Sequence, residues 1–230
     1  MRTPALLAFA VILIGIPWML HAEPDRMWVQ QHGFSAGILS DWKWMEDEFD
    51  DWMENLAAVA FGYSGRSYLE RSGWGFRGDV QFLVPFALVQ HYDGERTTAN
   101  RDRYDTWWGL YNFLGGSRSW VLRQGEVTMH VDAGLNHFFV IRSGRTLFGS
   151  FANTDSSLGL ALGVGLTRFL TENLFMGASI KGGVGIARWN TWTTASSERT
   201  ETEYFNSVHV MPSLQLGVRT RSVPRNLFTR

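Results

Sequence analysis

The chain contains no cysteine. This absence excludes disulfide bonds, thiolate metal sites and a cysteine nucleophile. Lysine is also scarce, because Lys43 and Lys181 are the only two in the sequence. The formal net charge is −1. A chain this close to neutrality lacks the basic excess that is typical of nucleic-acid binding, so we expect no nucleic-acid partner.

Long apolar runs are absent after the first twenty residues. The segment from Pro4 to Leu20 is uncharged and mostly apolar, follows Arg2, and is followed by Glu23. This order is typical of a secretory signal peptide, which we predict to be residues 1–22 with cleavage after Ala22. A retained transmembrane helix is the alternative, but no second apolar helix candidate follows. Removing 22 of 230 residues leaves 208 for one predicted domain, 23–230.

The strongest positive signal is alternation near the C-terminus. Val208, Val210, Leu214 and Leu216 share one parity, and His209 and Gln215 lie on the other. Side chains of a strand point to opposite faces in turn, so one face is apolar and the other polar or small. The apolar face would contact lipid in an outer-membrane barrel and the protein core in a soluble barrel.

The same alternation recurs along the chain. It is clear at 76–89, 127–141, 158–167 and 174–186, and the tally is eight strands, or ten if 104–122 or the N-terminal region is divided differently. A short turn at 171–173 precedes a long polar stretch at 191–203, and we predict further external loops at 91–103 and 143–157. We therefore predict an all-β fold, a closed antiparallel up-and-down transmembrane barrel.

One region has helical spacing instead. In 40–55, Trp42, Met45, Phe49 and Trp52 recur at intervals of three and four. This spacing predicts a short amphipathic helix in the first external loop. Its acidic residues, at 46–54, are expected to form a solvated helix face rather than a Ca²⁺ site, so we predict no metal.

Tryptophan is abundant, with 11 residues. Most lie at or beyond the ends of the predicted strands, as expected of aromatic girdles at the two membrane interfaces. The predicted girdle consists of Trp28, Trp74, Trp107, Trp108, Trp120, Trp189 and Trp192.

Together, the export signal, the lack of cysteine, the eight alternating segments and the short-turn, long-loop asymmetry resemble the small outer-membrane barrels of the OmpA, OmpX and OmpW type. The resemblance covers the whole mature chain and rests on pattern. It implies a location in the bacterial outer membrane, lipid as the partner and no cofactor. Oligomerisation is not required, because a closed barrel has no edge strand. The OmpW-like members imply uptake of small hydrophobic compounds.

The interior of an eight-stranded barrel is narrow enough to be filled by its own side chains. The predicted polar lumen residues are Lys181, Asp132, Asp79, His130, Gln81 and Gln215. An unpaired interior charge is costly, so Lys181 should have a carboxylate partner, either Asp132 or Asp79. An apolar upper lumen is predicted from Leu83, Pro85 and Phe138, together with Ala87 and Val89.

These features predict a non-enzymatic barrel with a plugged lumen, which has a structural or surface role or passes small hydrophobic solutes. Three alternatives stay open: a soluble periplasmic barrel that binds an apolar ligand, a surface adhesin acting through its external loops, and a lipid-modifying enzyme. An enzyme would use His137 or His209 near the outer rim. That histidine would need a serine and a carboxylate within hydrogen-bond reach.

Overall fold

The computed structural model describes residues 27–46, 51–92, 95–100, 104–122, 126–146 and 149–222. The regular elements of this part are all β-strands, and the predicted signal peptide lies outside it. The strands are β1 (Trp28–Glu46), β2 (Asp51–Leu69), β3 (Trp74–Tyr92), β4 (Glu95–Asn100), β5 (Thr106–Leu122), β6 (Val127–Thr146), β7 (Gly149–Phe169), β8 (Leu174–Thr194) and β9 (Glu198–Ser222). In the described residues, no helix has the length and apolarity needed to cross a membrane.

Eight of these strands close into a ring. Each pairs antiparallel with its neighbours in the order β1-β2-β3-β5-β6-β7-β8-β9, and β9 pairs back to β1. The short β4 pairs only with the end of β3, between Ala87 and Tyr92. The predicted eight-stranded up-and-down barrel is confirmed, and the short β4 extends the ring beyond β5 along the same edge of β3.

The two ends of the barrel differ. We call the end at which β1 begins and β9 ends the proximal end. The β2–β3, β5–β6 and β7–β8 connections lie there, and the remaining connections lie at the opposite, distal end.

The strands are longer than a bilayer requires. A transmembrane strand needs about 9–11 residues, whereas β7 has 21 and β9 has 25. The external loops predicted at 143–157 and 191–203 are therefore wrong, because β6 continues to Thr146 and β8 to Thr194. The loop predicted at 91–103 contains β4. Polar composition suggested loops, but these polar side chains face the barrel interior or solvent while the backbone stays in the ladder.

The helix predicted over 40–55 is also wrong. β1 runs on to Glu46 and β2 starts at Asp51, and residues 47–50 lie outside the described part. Lys43 pairs with Ser207 of β9 on one side and with Glu54 of β2 on the other. Lys43 is buried inside the ring while Trp44 is exposed outside. Pairing with two neighbouring strands and burial of every second side chain override a local helical spacing.

The outer surface of the ring is apolar. Leu160, Leu162, Leu214 and Leu216 are all more than half exposed, and Leu214 reaches 68%. Their sequence neighbours Gly163 and Ser213 are buried. Lys181 and His209 also point inward and are buried. This is the orientation of a barrel in lipid, and it is the inverse of the one required for a soluble barrel with an apolar ligand inside.

Candidate functional site

The lumen is the candidate site, and its proximal half holds a cluster of charges. We define the proximal charged layer as Arg66, Arg77, Asp79, Asp132 and Lys181, which are all buried. Alternation along β2, β3, β6 and β8 aims these side chains inward from four different strands.

Ion pairs across the lumen join this layer. Lys181 Nζ lies 2.7 Å from Asp79 Oδ2. Of the two carboxylates proposed as its partner, Asp79 is therefore the one in contact. Arg77 Nε donates to Asp79 Oδ1 at 3.1 Å, and its Nη1 donates to Asp132 Oδ2 at 2.8 Å. Arg66 Nη2 donates to the same oxygen of Asp132 at 3.2 Å. The two carboxylates thus hold three cations and tie β2, β3, β6 and β8 together.

Further polar side chains surround the layer. His130 Nε2 lies 3.3 Å from Arg77 Nη1. Gln81 Nε2 donates to Ser35 Oγ at 2.9 Å, and Gln215 Nε2 donates to the carbonyl of Ser64 at 3.2 Å. The structure therefore places all six predicted polar lumen residues on the inside of the ring.

A second group of charges, absent from our prediction of the lumen, lies toward the distal end. We define the distal charged layer as Asp41, Lys43, Glu54, Arg142, Asp155 and Arg188, which are all buried. Arg188 holds Asp155 in a bidentate pair, with Nε to Oδ1 at 2.6 Å and Nη2 to Oδ2 at 2.8 Å. Lys43 also contacts Asp155 and lies 3.8 Å from Glu54 Oε1.

Sequence reasoning missed this layer because its residues fell in segments interpreted as loop or helix. The period-two pattern was nevertheless present. Asn153 and Asp155 share the parity of the inward Gly159, and Asp41 shares the parity of Lys43. Following the strand pattern past the apolar stretch would have found these residues. The predicted solvated acidic face is also wrong at Glu54. This side chain is 1% exposed, and its Oε2 lies 3.6 Å from Arg142 Nη1.

An apolar layer separates the two charged layers. It includes Leu39, Leu56, Leu83, Leu88, Tyr111, Phe113, Phe138, Val140 and Met211, which are all buried in one cluster. Lys181 Nζ lies 5.9 Å from the centroid of the Phe113 ring, and Lys43 Nζ lies 5.6 Å from that of Phe138. The layer therefore touches a lysine on each side, and it is the middle of three layers rather than an open apolar mouth.

A β-bulge changes which residues of β3 face the lumen, so part of the predicted apolar lumen is wrong. Leu83 and Pro85 point inward and are buried, as is Phe138. The ladder between β2 and β3 shifts register at Ala57 and Ala58. Beyond the shift Leu88 takes the inward position, and the predicted inward positions of Ala87 and Val89 are wrong. An extra residue in one strand reverses the faces that follow it.

Five of the seven predicted girdle tryptophans lie on the outward parity, and they are Trp28, Trp74, Trp108, Trp120 and Trp189. The other two predictions are wrong. Trp107 is 3% exposed and packs on Tyr104 with ring centroids 4.6 Å apart. Trp192 shares the inward parity of Arg188, and its ring centroid lies 5.3 Å from the guanidinium carbon of the buried Arg142. Trp107 and Trp108 are adjacent in a strand, so only one of them can face outward.

The two histidines proposed for a rim enzyme have different surroundings. His209 points inward, is buried, and packs edge-on against Tyr111. His137 faces outward, where its Nε2 lies 3.1 Å from Ser156 Oγ and its Nδ1 lies 3.4 Å from Asn112 Nδ2. An amide occupies the position where a carboxylate was required. Among the described residues, no group of three or more acidic, histidine or cysteine side chains could hold a metal ion.

A closed antiparallel ring of eight strands, with an apolar exterior and a charged interior, defines the class: the chain has the fold of a small outer-membrane β-barrel protein. No protein-family model matches the sequence, and no curated protein sequence matches it.

Similar solved structures are outer-membrane barrels. OprG of Pseudomonas aeruginosa is 12% identical, with 88% of this chain and 99% of that chain covered and a TM-score of 0.48. Ail of Yersinia pestis, in complex with a heparin analogue, is 16% identical, with 83% and 99% covered and a TM-score of 0.46. The protease OmpT of Escherichia coli is 7% identical, with 89% and 100% covered and a TM-score of 0.39.

Proposed function

We propose that this protein is a non-enzymatic outer-membrane barrel with a closed lumen and a structural or surface role. The observation that carries the proposal is the three-layer lumen. Lys181 and Asp79 span it on the proximal side, and Lys43 and Asp155 span it on the distal side. Between them the apolar layer is packed and buried. Water and ions would have to displace both buried ion-pair layers, which is costly in a low dielectric.

The orientation in the membrane is part of the proposal. We propose that the proximal end faces the periplasm and the distal end faces outward, because the polar extensions of the strands lie at the distal end, where such barrels have their longer external segments. The distal extensions of β8 and β9 would then stand above the outer leaflet. Protease added to intact cells should cut the β8–β9 connection at 195–197 and spare the β7–β8 turn at 170–173. The reverse cleavage pattern would overturn this orientation.

Electrical recording tests the closed lumen. The purified, folded barrel in a planar bilayer should show no ion conductance above that of the bilayer alone. Lys181→Ala should also stay closed, because the apolar layer and the distal charged layer remain. Steady conductance through the wild-type barrel would overturn the proposal. Heat-modifiable mobility in detergent shows that each protein tested is folded.

The barrel could instead pass small hydrophobic solutes, and the apolar layer would then line their path. The buried packing of Leu83 and Phe138 argues against a standing path. Cells expressing the wild-type barrel should take up a hydrophobic dye no faster than cells without it. Faster uptake that Leu83→Gln abolishes, while folding is retained, would replace the closed-lumen proposal with transport.

Hydrolysis of a lipid ester is a second candidate, favoured by the contact between His137 and Ser156. In that reaction Ser156 Oγ would attack the ester carbonyl as His137 Nε2 takes its proton. The alcohol would leave with that proton, and water would then release the acyl group. The main proposal expects no labelling of the folded barrel by a fluorophosphonate probe. Labelling lost in Ser156→Ala but kept in the neighbouring Ser157→Ala would establish the enzyme instead.

A further inference from the structure

The outward face of the barrel carries an arginine near its proximal end. Arg118 lies on β5, four residues before the strand ends, and its partners in the ladder are Trp74 and Val131. Its guanidinium carbon lies 4.8 Å from the ring centroid of Trp74 and 5.7 Å from that of Trp120. Both tryptophans are exposed outward, Trp74 at 60%. In the part of the chain that the structure describes, Arg118 has no carboxylate within ion-pair distance.

A groove of about 540 Å³ lies against this arginine. Trp74, Trp120, Val131, Gly116 and Ala133 form its other sides. Gly116 and Ala133 are partners in the ladder and both face outward. A Cβ added at Gly116 would meet only the Ala133 carbonyl oxygen, at 3.9 Å, so the floor of the groove is open. Small residues therefore create a notch between larger neighbours.

The groove has a polar end and an apolar end. Gly116 comes two residues before Arg118 on a strand that runs from the distal to the proximal end, so the notch lies closer to the centre of the bilayer than the cation does. Beyond the notch lie the outward positions of Leu114 and Leu135. The order from the membrane centre to the proximal end is apolar side chains, notch, cation and Trp120.

This order is the order of a glycerophospholipid in the proximal leaflet. We propose that the groove binds one phospholipid, with an acyl chain in the Gly116–Ala133 notch and its phosphate on Arg118. Tryptophan stacking holds the guanidinium in place and leaves its N–H groups free to donate to phosphate oxygens. Because the cation has no acidic neighbour among the described residues, a lipid of net negative charge should bind better than a zwitterionic one.

Native mass spectrometry of the full folded barrel tests this site. The protein is released from micelles that contain equal amounts of phosphatidylglycerol and phosphatidylcholine. We expect one phosphatidylglycerol to be retained preferentially. Arg118→Gln should lower its retention about fivefold, which corresponds to about 1 kcal/mol. The matched control is Arg168→Gln, which removes an exposed arginine from the proximal end of β7.

Three outcomes would overturn the proposal. The first is equal retention by wild type and Arg118→Gln. The second is an equal loss in Arg118→Gln and Arg168→Gln, which would show attraction to net charge without a site. The third is displacement of the lipid by inorganic phosphate alone, which would show that the acyl groove contributes nothing. None of these three outcomes involves ion conductance, so they would reject the lipid site without affecting the closed-lumen proposal.

Discussion

Lys181 and Asp79 form an ion pair across the full width of the barrel. Their strands, β8 and β3, are four positions apart in a ring of eight, so they face each other directly. The two charged atoms lie 2.7 Å apart, and both side chains are fully buried. The pair fastens opposite sides of the cylinder, which backbone ladders between neighbouring strands cannot do.

Because of this geometry, substituting Asp79 should destabilise the barrel more than substituting Lys181. Asp79→Leu should destabilise the barrel by about 3–5 kcal/mol, because it leaves Lys181 buried without its carboxylate and removes one acceptor from Arg77. Lys181→Met should cost less, because Asp79 keeps its contact with Arg77. The free energy of unfolding in urea, measured in the same detergent, gives both values. A larger loss for Lys181→Met would contradict the arrangement.

The double variant Asp79→Leu with Lys181→Met is the internal control. It removes both charges, so its cost should be smaller than the sum of the two single costs. Additive costs would show that the two side chains do not interact in solution.

The apolar exterior makes a prediction that separates a barrel in lipid from a soluble barrel. Leu162→Arg places a charge in the middle of the outward face and should cost about 2–4 kcal/mol in a bilayer. Leu170→Arg, beside the β7–β8 turn, should cost about 0–1 kcal/mol, because the charge reaches the interface. Folding equilibria in lipid vesicles measure both. In a soluble barrel Leu162→Arg would add a harmless surface charge, so equal small costs would reject the lipid-facing orientation.

The part of this fold that sequence could predict is the part within the bilayer. There, alternation between Leu158 and Leu166 is forced by two different environments, lipid outside and a crowded lumen inside. The same two environments place Lys181 inward, and its need for a partner pointed to Asp79 or Asp132. The partner is Asp79 because its strand lies opposite that of Lys181 in the ring, and the order of strands around the ring cannot be read from the sequence.

Beyond the bilayer, apolar and polar residues no longer alternate along the strands. The outward residues of the extended strands, such as Thr200 and Thr202, are polar, so the pattern no longer separates inside from outside. Hence the sequence predicts loops at 143–157 and 191–203, where the structure has the strands that carry part of the distal charged layer. A bulge had a similar effect at Ala57, because one extra residue opposite it reversed the faces of Ala87 and Val89.

Interior glycines make room for the proximal charged layer. A Cβ on Gly165 would clash with His130 Nε2 and would lie 2.7 Å from the Ala178 carbonyl oxygen. Gly165→Ala should therefore displace the His130 ring and destabilise the barrel by about 1–3 kcal/mol. The control is Gly182→Ala, whose Cβ would meet only the His209 carbonyl oxygen, at 3.7 Å. Unfolding midpoints should fall for the first variant and stay nearly constant for the second, and equal midpoints would contradict the crowding.

The paired tryptophans of β5 give the last prediction. Trp107 is buried beside Tyr104 within the apolar layer, and Trp108 stacks on Phe82 at the lipid-facing surface with ring centroids 5.9 Å apart. Trp107→Ala removes a large side chain from a packed core and should cost about 3–5 kcal/mol.

A tryptophan at the outer surface provides the comparison. Trp189→Ala should cost much less than Trp107→Ala, because detergent or lipid fills the space left at an exposed position. Urea unfolding followed by heat-modifiable mobility ranks the two variants without relying on tryptophan fluorescence, which both substitutions change. If Trp189→Ala proved the more damaging, Trp107 would belong to the interface girdle and the inward parity of β5 would be wrong.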